Sequence, residues 1–181
     1  RAHPTFRAFV SKTPSLEDQP ANTWVLRRWP IDLDDDRVCN TSYEAGLVFE
    51  GATGKVVKWG AHGARCDSPQ TGATWLYDPV RNVWTESNSP THPFGICGTW
   101  GTAYDRANKV VVSVQAEGGN HGWQWDRAKA MRPSSPWVFS PGADRWTAVK
   151  PLESGTGPGM RGFLPLVYVD SLGATFLFGG Q

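Results

Sequence analysis

The sequence predicts an all-β fold built from repeated four-stranded antiparallel units, and three observations lead to this. The 181 residues include 20 Gly and 14 Pro, a density of helix breakers that excludes long helices. The apolar residues fall in short runs rich in β-branched and aromatic side chains, as strands require. Two kinds of hairpin-like segment recur along the chain, and repetition at this scale is typical of arrays of small sheets.

The first kind of segment occurs at residues 74–85 and again at residues 136–147. Each copy reads as a strand, a turn that begins with Pro79 or Pro141, and a second strand that carries Trp84 or Trp146. The two copies align at one constant offset without gaps. This pattern predicts a β-hairpin in each copy.

The second kind of segment precedes each of these hairpins, and a third copy ends the chain. It consists of an apolar run, a short polar turn and a β-branched run, at residues 46–60, 102–114 and 166–180. Aligned on its second run, the repeat matches Lys109 with Lys55 and Ala174 with Lys109. Two hairpins in succession predict a four-stranded antiparallel sheet, and the last copy supplies only the first two strands.

The repeated residues resemble those of the kelch and galactose-oxidase central-domain β-propellers over about residues 43–181. The shared features are a strand ending in Gly-Gly, a later aromatic residue and then a Trp, found here as Gly118-Gly119, Gly179-Gly180, Tyr77, Phe139, Trp84 and Trp146. The first unit departs from this pattern, since His62 lies within Gly60-Ala61-His62-Gly63 where Gly-Gly is expected. The resemblance implies a kelch-like propeller segment of about three blades.

We expect one propeller domain in four parts: 1–42, a half blade of outer strands with a linker; 43–90, a blade; 91–150, a blade; and 151–181, a half blade of inner strands. Propellers typically have at least four blades. The remaining blades are therefore expected from a longer chain or from a second copy. In either case the propeller would belong to a larger or oligomeric assembly.

The composition limits the partners. A net charge of +1 leaves no basic surplus for phosphates, so we expect no nucleic acid, and no apolar run is long enough to span a membrane. Cys39, Cys66 and Cys97 allow one disulfide in an oxidising compartment or three buried thiols, and Asn40 begins a glycosylation sequon. We interpret the chain as extracellular or periplasmic.

Strand alternation places the connections between second and third strands on the same rim as the linkers between blades. Chemically useful side chains concentrate on this rim: His62, Arg65, Cys66, Asn120, His121, Arg132, Cys39, His92 and Cys97. Trp123 and Trp125 lie in the longest insertion, where exposed rings would stack on sugar faces or on a protein partner. The structural alternative is that both rings fold back over the blade edge. The leading prediction is a module that binds carbohydrate or a protein partner through this rim.

The rival prediction is part of an enzyme acting on polysaccharide. The rim is loosely similar to that of propeller lyases acting on uronates, in which His62 or His121 would move protons and Arg65 would neutralise the uronate carboxylate. The simpler interpretation is that each His lies in a Gly-flanked turn. We expect no cofactor; the alternative is zinc or copper, and a copper oxidase follows from the galactose-oxidase resemblance although no set matching its two Tyr and two His ligands is evident. A third prediction is a structural subunit of a larger assembly.

Overall fold

The computed structural model describes residues 18–22, 24, 46–59, 74–93, 101–115, 135–150 and 165–179. The described chain is almost entirely β-structure in antiparallel pairs, which confirms the all-β prediction. Sheet 1 has the order β1-β2-β3-β4, sheet 2 the order β5-β6-β7-β8, and β9 pairs with β10 in a C-terminal hairpin. The strands are β1 Gly46–Glu50, β2 Lys55–Trp59, β3 Thr74–Asp78, β4 Val83–Glu86, β5 Thr102–Asp105, β6 Val110–Gln115, β7 Ser135–Ser140, β8 Arg145–Ala148, β9 Leu166–Val169 and β10 Ala174–Leu177.

Four-residue turns join the strands of every hairpin, and each turn needs one residue in the left-handed region. That residue is Gly54, Lys109 or Gly173 in the turns that follow β1, β5 and β9, with φ of 72°, 56° and 58°. Asn82 and Asp144 serve the other two turns, at 54° and 49°. Gly, Asn and Asp adopt this conformation at the least steric cost, which explains four of the five positions.

The turn after β5 corrects one detail of the predicted repeat. Lys109 is the last residue of the turn and not the first of a strand, and β6 begins at Val110, which pairs with Asp105. Lys109 therefore corresponds to Gly54, and Val110 to Lys55. Because side chains alternate along a strand, this shift of one residue exchanges the two faces of β6 relative to the earlier alignment.

Acidic residues cap three of these turns. Glu50 Oε2 accepts hydrogen bonds from the backbone N–H groups of Ala52 and Thr53, each at 3.0 Å, and Glu50 Oε1 accepts one from the Thr53 hydroxyl. Asp78 Oδ1 accepts from Val80 and Arg81 N–H in the next hairpin. Asp105 caps the turn after β5 through Asn108. The carboxylates satisfy N–H groups that the tight turns leave without backbone partners.

The core lies between sheet 1 and sheet 2. Partners in the strand register share a face, so one face can be followed from β1 to β4 in sheet 1 and from β5 to β8 in sheet 2. Six side chains from the facing sides form the buried cluster: Val57, Trp59, Leu76, Val111, Phe139 and Trp146. None of them is more than 7% exposed, so all six side chains are buried.

Trp146 on β8 connects the two sheets at this interface. Its ring centroid lies 5.2 Å from that of Phe139 on the same sheet and 5.2 Å from that of Trp59 on sheet 1. Its indole N–H donates to Thr74 Oγ1 of sheet 1 at 2.8 Å. Trp146 therefore packs between the two sheets, and its polar partner accounts for the burial of the indole nitrogen.

The first strands of sheet 1, sheet 2 and the C-terminal hairpin, β1, β5 and β9, are neighbours in sequence order. Strand β5 contacts β1 on one side and β9 on the other. The Arg106 Nη2 to Asp170 Oδ2 ion pair, at 2.9 Å, joins the turn of sheet 2 to the turn of the C-terminal hairpin. Sheet 2 therefore lies between sheet 1 and the hairpin. The predicted domain boundaries stay predictions, and most of the half blade assigned to 1–42 lies outside the described residues.

Candidate functional site

The two ends of the strands in sheet 1 differ in the length of the connections that join them. Gly46, Trp59 and Thr74 are register partners at one edge, where the chain leaves β2 and returns to β3 after fourteen residues. At the other edge Glu50 pairs with Lys55, and the connections are the tight turns. We call these two ends of the strands the loop edge and the turn edge. In both names, edge means the strand ends and not an edge strand.

Sheet 2 repeats this division. Its turn edge is marked by the pairs Asp105 with Val110 and Ser140 with Arg145, each closed by a four-residue turn. At its loop edge β6 ends at Gln115, and nineteen residues follow before β7 begins. All connections longer than four residues that start or finish on described strands therefore do so at a loop edge.

The loop edges of the two sheets lie on the same side of the molecule. Trp59, at the loop edge of sheet 1, donates its indole N–H to Thr102 Oγ1 at the loop edge of sheet 2, at 3.2 Å. At the opposite side Gly51 lies against the Tyr104 ring, and a Cβ added to Gly51 would lie 3.7 Å from Tyr104 Cε1. The Arg106–Asp170 pair extends the turn edge to the C-terminal hairpin.

The sequence-predicted rim residues other than His92 lie in these connections or in the chain before β1, outside the described residues. His62, Arg65 and Cys66 belong to the connection between β2 and β3; Asn120, His121, Trp123, Trp125 and Arg132 to that between β6 and β7; Cys97 to that between β4 and β5; and Cys39 and Asn40 precede β1. The strand ends that flank all three connections lie at the loop edge.

His92 is the histidine within the described ranges. It is exposed on the linker after β4, and its Nδ1 lies 3.1 Å from the Pro93 carbonyl oxygen. Across the described ranges no three His, Cys, Asp or Glu side chains gather in a way that would hold a metal ion. Within the described residues, the contact that holds the His92 ring comes from its own linker.

The linker after β4 is bonded to the neighbouring sheet. Asn88 N–H donates to Asp144 Oδ2 at 2.8 Å, Ser89 Oγ accepts from Trp146 N–H at 2.9 Å, and the Thr91 hydroxyl donates to the Trp146 carbonyl at 2.6 Å. The linker thus runs beside β8. Hydrogen bonds between side chains and backbone groups hold it there, in place of the backbone ladder that a further strand would form. These contacts hold the first part of the linker against β8.

The buried acids of the turn edge have structural roles. Glu50 is 0% exposed and Asp105 is 8% exposed, and buried carboxylates are common in catalytic sites. Here, however, Glu50 binds the N–H groups of its own turn, and Asp105 binds Asn108 N at 3.0 Å and Asn108 Nδ2 at 2.8 Å. Their oxygens are used in holding the turns, so the candidate chemistry stays with the loop edge.

Sequence reasoning missed Trp59 and the polar groups around Trp146. Trp59 is fully buried between the sheets, but sheet 2 has a smaller Val114 at the corresponding position, so no repeat marked it. Thr74 and Ser89 are ordinary in sequence, and only the fold brings them to the indole and to the backbone of Trp146. The Trp at the end of β2, directly before Gly60, was the one available signal.

Comparison with known proteins adds no family assignment. No protein-family model matches the chain, and no curated protein matches its sequence. The kelch resemblance therefore rests on the repeated residues themselves. Among the described residues, no helix has both the length and the apolar character needed to cross a membrane.

Proposed function

We propose that the chain is a kelch-type β-propeller segment that acts as a binding module, taking carbohydrate or a protein partner at its loop edge. The observation that carries the proposal is the division between the two edges. Tight, capped turns close the turn edge, while every long connection that meets a described strand does so at the loop edge. Long connections on a rigid scaffold are where binding residues concentrate.

The succession of inner strands supports a propeller over a sandwich. In a two-sheet sandwich each sheet covers its partner with one face and exposes the other. Sheet 2 instead contacts sheet 1 on one side and the C-terminal hairpin on the other, with β5 between β1 and β9. Buried Ala103 and Val114 lie on the face of sheet 2 turned away from sheet 1, which favours a radial array of blades.

Composition of the connections favours carbohydrate as the first ligand class to test. The connection between β6 and β7 carries Trp123 and Trp125 together with Asn120 and Arg132. Aromatic rings stack on the apolar faces of sugars, while amide and guanidinium groups bond hydroxyl and carboxylate oxygens. An extracellular or periplasmic location fits this ligand class and belongs to the same proposal.

The test is direct binding to an array of neutral and uronic-acid oligosaccharides, followed by fluorescence titration of the ligand with the highest signal. We expect Trp123→Ala and Trp125→Ala each to weaken binding by up to about tenfold, the scale on which a stacked ring contributes to affinity. The matched control is Val80→Ala, since Val80 is 75% exposed at the turn edge. Equal loss in the control, or no ligand above background, would overturn carbohydrate binding. Cleavage of a uronate polymer that His121→Ala abolishes would replace the binding module with the lyase.

A further inference from the structure

Two exposed apolar patches lie at opposite ends of the array formed by sheet 1, sheet 2 and the C-terminal hairpin. The leading patch consists of Leu47 and Phe49 on β1, which are 63% and 57% exposed. The trailing patch consists of Val167, Phe176 and Phe178 on the C-terminal hairpin, at 55%, 44% and 80%. Apolar side chains grouped in this way mark interaction sites on soluble proteins.

The leading patch corresponds to residues that are covered elsewhere in the same chain. By the strand register, Leu47 occupies the position of Thr102 and Phe49 that of Tyr104. Thr102 accepts the Trp59 indole N–H, and Tyr104 lies against the buried cluster shared by sheet 1 and sheet 2. On sheet 2 this face is thus covered by the sheet that precedes it.

The trailing patch corresponds to the opposite face of sheet 2. Val167 pairs with Phe176 as Ala103 pairs with Val112, and Phe178 takes the position of Val114. Ala103 is 6% exposed and Val114 is 8% exposed, whereas Phe178 is almost fully exposed. The trailing patch is therefore a face of the kind that the next unit covers inside the chain.

We propose that the trailing patch of one copy docks on the leading patch of a second copy, head to tail. The contact would repeat the packing of β5 between β1 and β9, with β9 of one copy beside β1 of the next. The chain itself indicates a second copy as the occupant, because the two patches are the counterparts of faces that already pack together within it. Such an interface is heterologous, so it closes a ring of copies or extends an open array.

This proposal depends on the repeated packing of the sheets and not on any ligand at the loop edge. A copy with a damaged leading patch keeps its trailing patch, and the reverse also holds. Head-to-tail docking therefore differs from a symmetric contact in which one patch meets itself. The difference can be measured by mixing variants.

The experiment is analytical ultracentrifugation of the 181-residue chain and of two variants, Phe49→Asp and Phe176→Asp. Wild type is expected to exceed the 19.9 kDa of one chain in a concentration-dependent way, and each variant alone to sediment as a monomer. An equal mixture of the two variants is expected to double in mass and stop there, because one intact patch of each kind remains. Val80→Asp is the matched control, since it places the same charge on an exposed residue outside both patches.

Three results would overturn the proposal. A wild-type monomer at every concentration would show that the patches do not bind each other and would favour another protein or additional blades as their cover. Self-association that survives Phe49→Asp would indicate a symmetric contact through the trailing patch. A mixture of the two variants that stays monomeric would exclude head-to-tail docking, and circular dichroism of each variant separates this from misfolding because both side chains are exposed in the single chain.

Discussion

The indole N–H of Trp146 donates to Thr74 Oγ1 at 2.8 Å, across the interface between two sheets whose sequences repeat. Trp146 is 1% exposed and Thr74 is 4% exposed, so this hydrogen bond lies in the dry part of the core. The position of Trp146 repeats as Trp84 in sheet 1, which is only half-buried. We therefore expect Trp146 to contribute more to the stability of the fold than Trp84.

Replacing Trp146 with Ala should lower the free energy of unfolding by about 3–5 kcal/mol, the usual loss for a buried Trp. Trp84→Ala is the matched variant at the corresponding position, and its loss should be clearly smaller because Trp84 contacts solvent as well as Tyr77, whose ring centroid is 4.8 Å away. Urea denaturation measures both. Equal losses would mean that Trp146 is not buried between two sheets.

Gly46 allows β1 to approach β5 closely. A Cβ at this position would lie inside the contact distance of Thr102 Oγ1 and 3.0 Å from Trp59 Nε1. Gly46→Ala should therefore destabilise the chain by about 1–3 kcal/mol through overpacking. The control is Gly142→Ala, where an added Cβ meets no atom within 4 Å.

A second variant separates this close approach from a general backbone effect. Thr102→Ala removes the nearest atom, so the loss from Gly46→Ala should be smaller in the Thr102→Ala background than in wild type. Thermal denaturation of the four proteins gives this coupling. Strictly additive losses would show that β1 and β5 are not in contact at these residues.

The capping carboxylate of Glu50 should matter more than that of Asp78. Glu50→Ala leaves the N–H groups of Ala52 and Thr53 without their acceptor in a site where the Glu50 side chain was fully buried, a loss of about 1–3 kcal/mol. In Asp78→Ala, water replaces the carboxylate at the exposed N–H groups, so the loss should be below about 1 kcal/mol. Chemical denaturation compares the two, and the reverse order would contradict the described burial of the first turn.

Lys109 and Gly54 occupy the same turn position with positive φ, so reciprocal changes should have opposite signs. Lys109→Gly removes a left-handed non-glycine residue and should be neutral or stabilising by up to about 1 kcal/mol, whereas Gly54→Lys should destabilise by a similar amount. Melting temperatures of both variants check this. Destabilisation by Lys109→Gly would place Lys109 in the strand, as the sequence alignment first suggested.

The sequence was most informative where strands repeat. Both Pro-led hairpins were predicted because Pro79 and Pro141 begin turns that end at Asn82 and Asp144, residues that tolerate the left-handed conformation. The sequence alignment was wrong by one residue at Lys109. A Lys gives no indication of a positive φ, and Lys109 was matched with Lys55, which begins β2. Only the pairing of Asp105 with Val110 fixes that register.

For the candidate site, the sequence predicted only which end of the strands carries the long connections. Strand alternation was sufficient to place the connections after Trp59 and after Gln115 on one side, and the strand pairing agrees. His62, His121 and Trp123 lie within those connections, outside the described residues. Their roles therefore stay predictions until ligand binding is measured.

The central claim is that sheet 1, sheet 2 and the C-terminal hairpin follow one another with β1, β5 and β9 side by side. The most direct test is a nuclear Overhauser effect spectrum of the isotopically labelled chain. It should contain cross-peaks from Gly46 to Thr102, from Gly51 to the Tyr104 ring, and from the Trp146 indole proton to Thr74, the close approaches described between the sheets. Cross-peaks that pair β1 with β9 and omit β5 would contradict this order and replace the array with a different arrangement of the same hairpins.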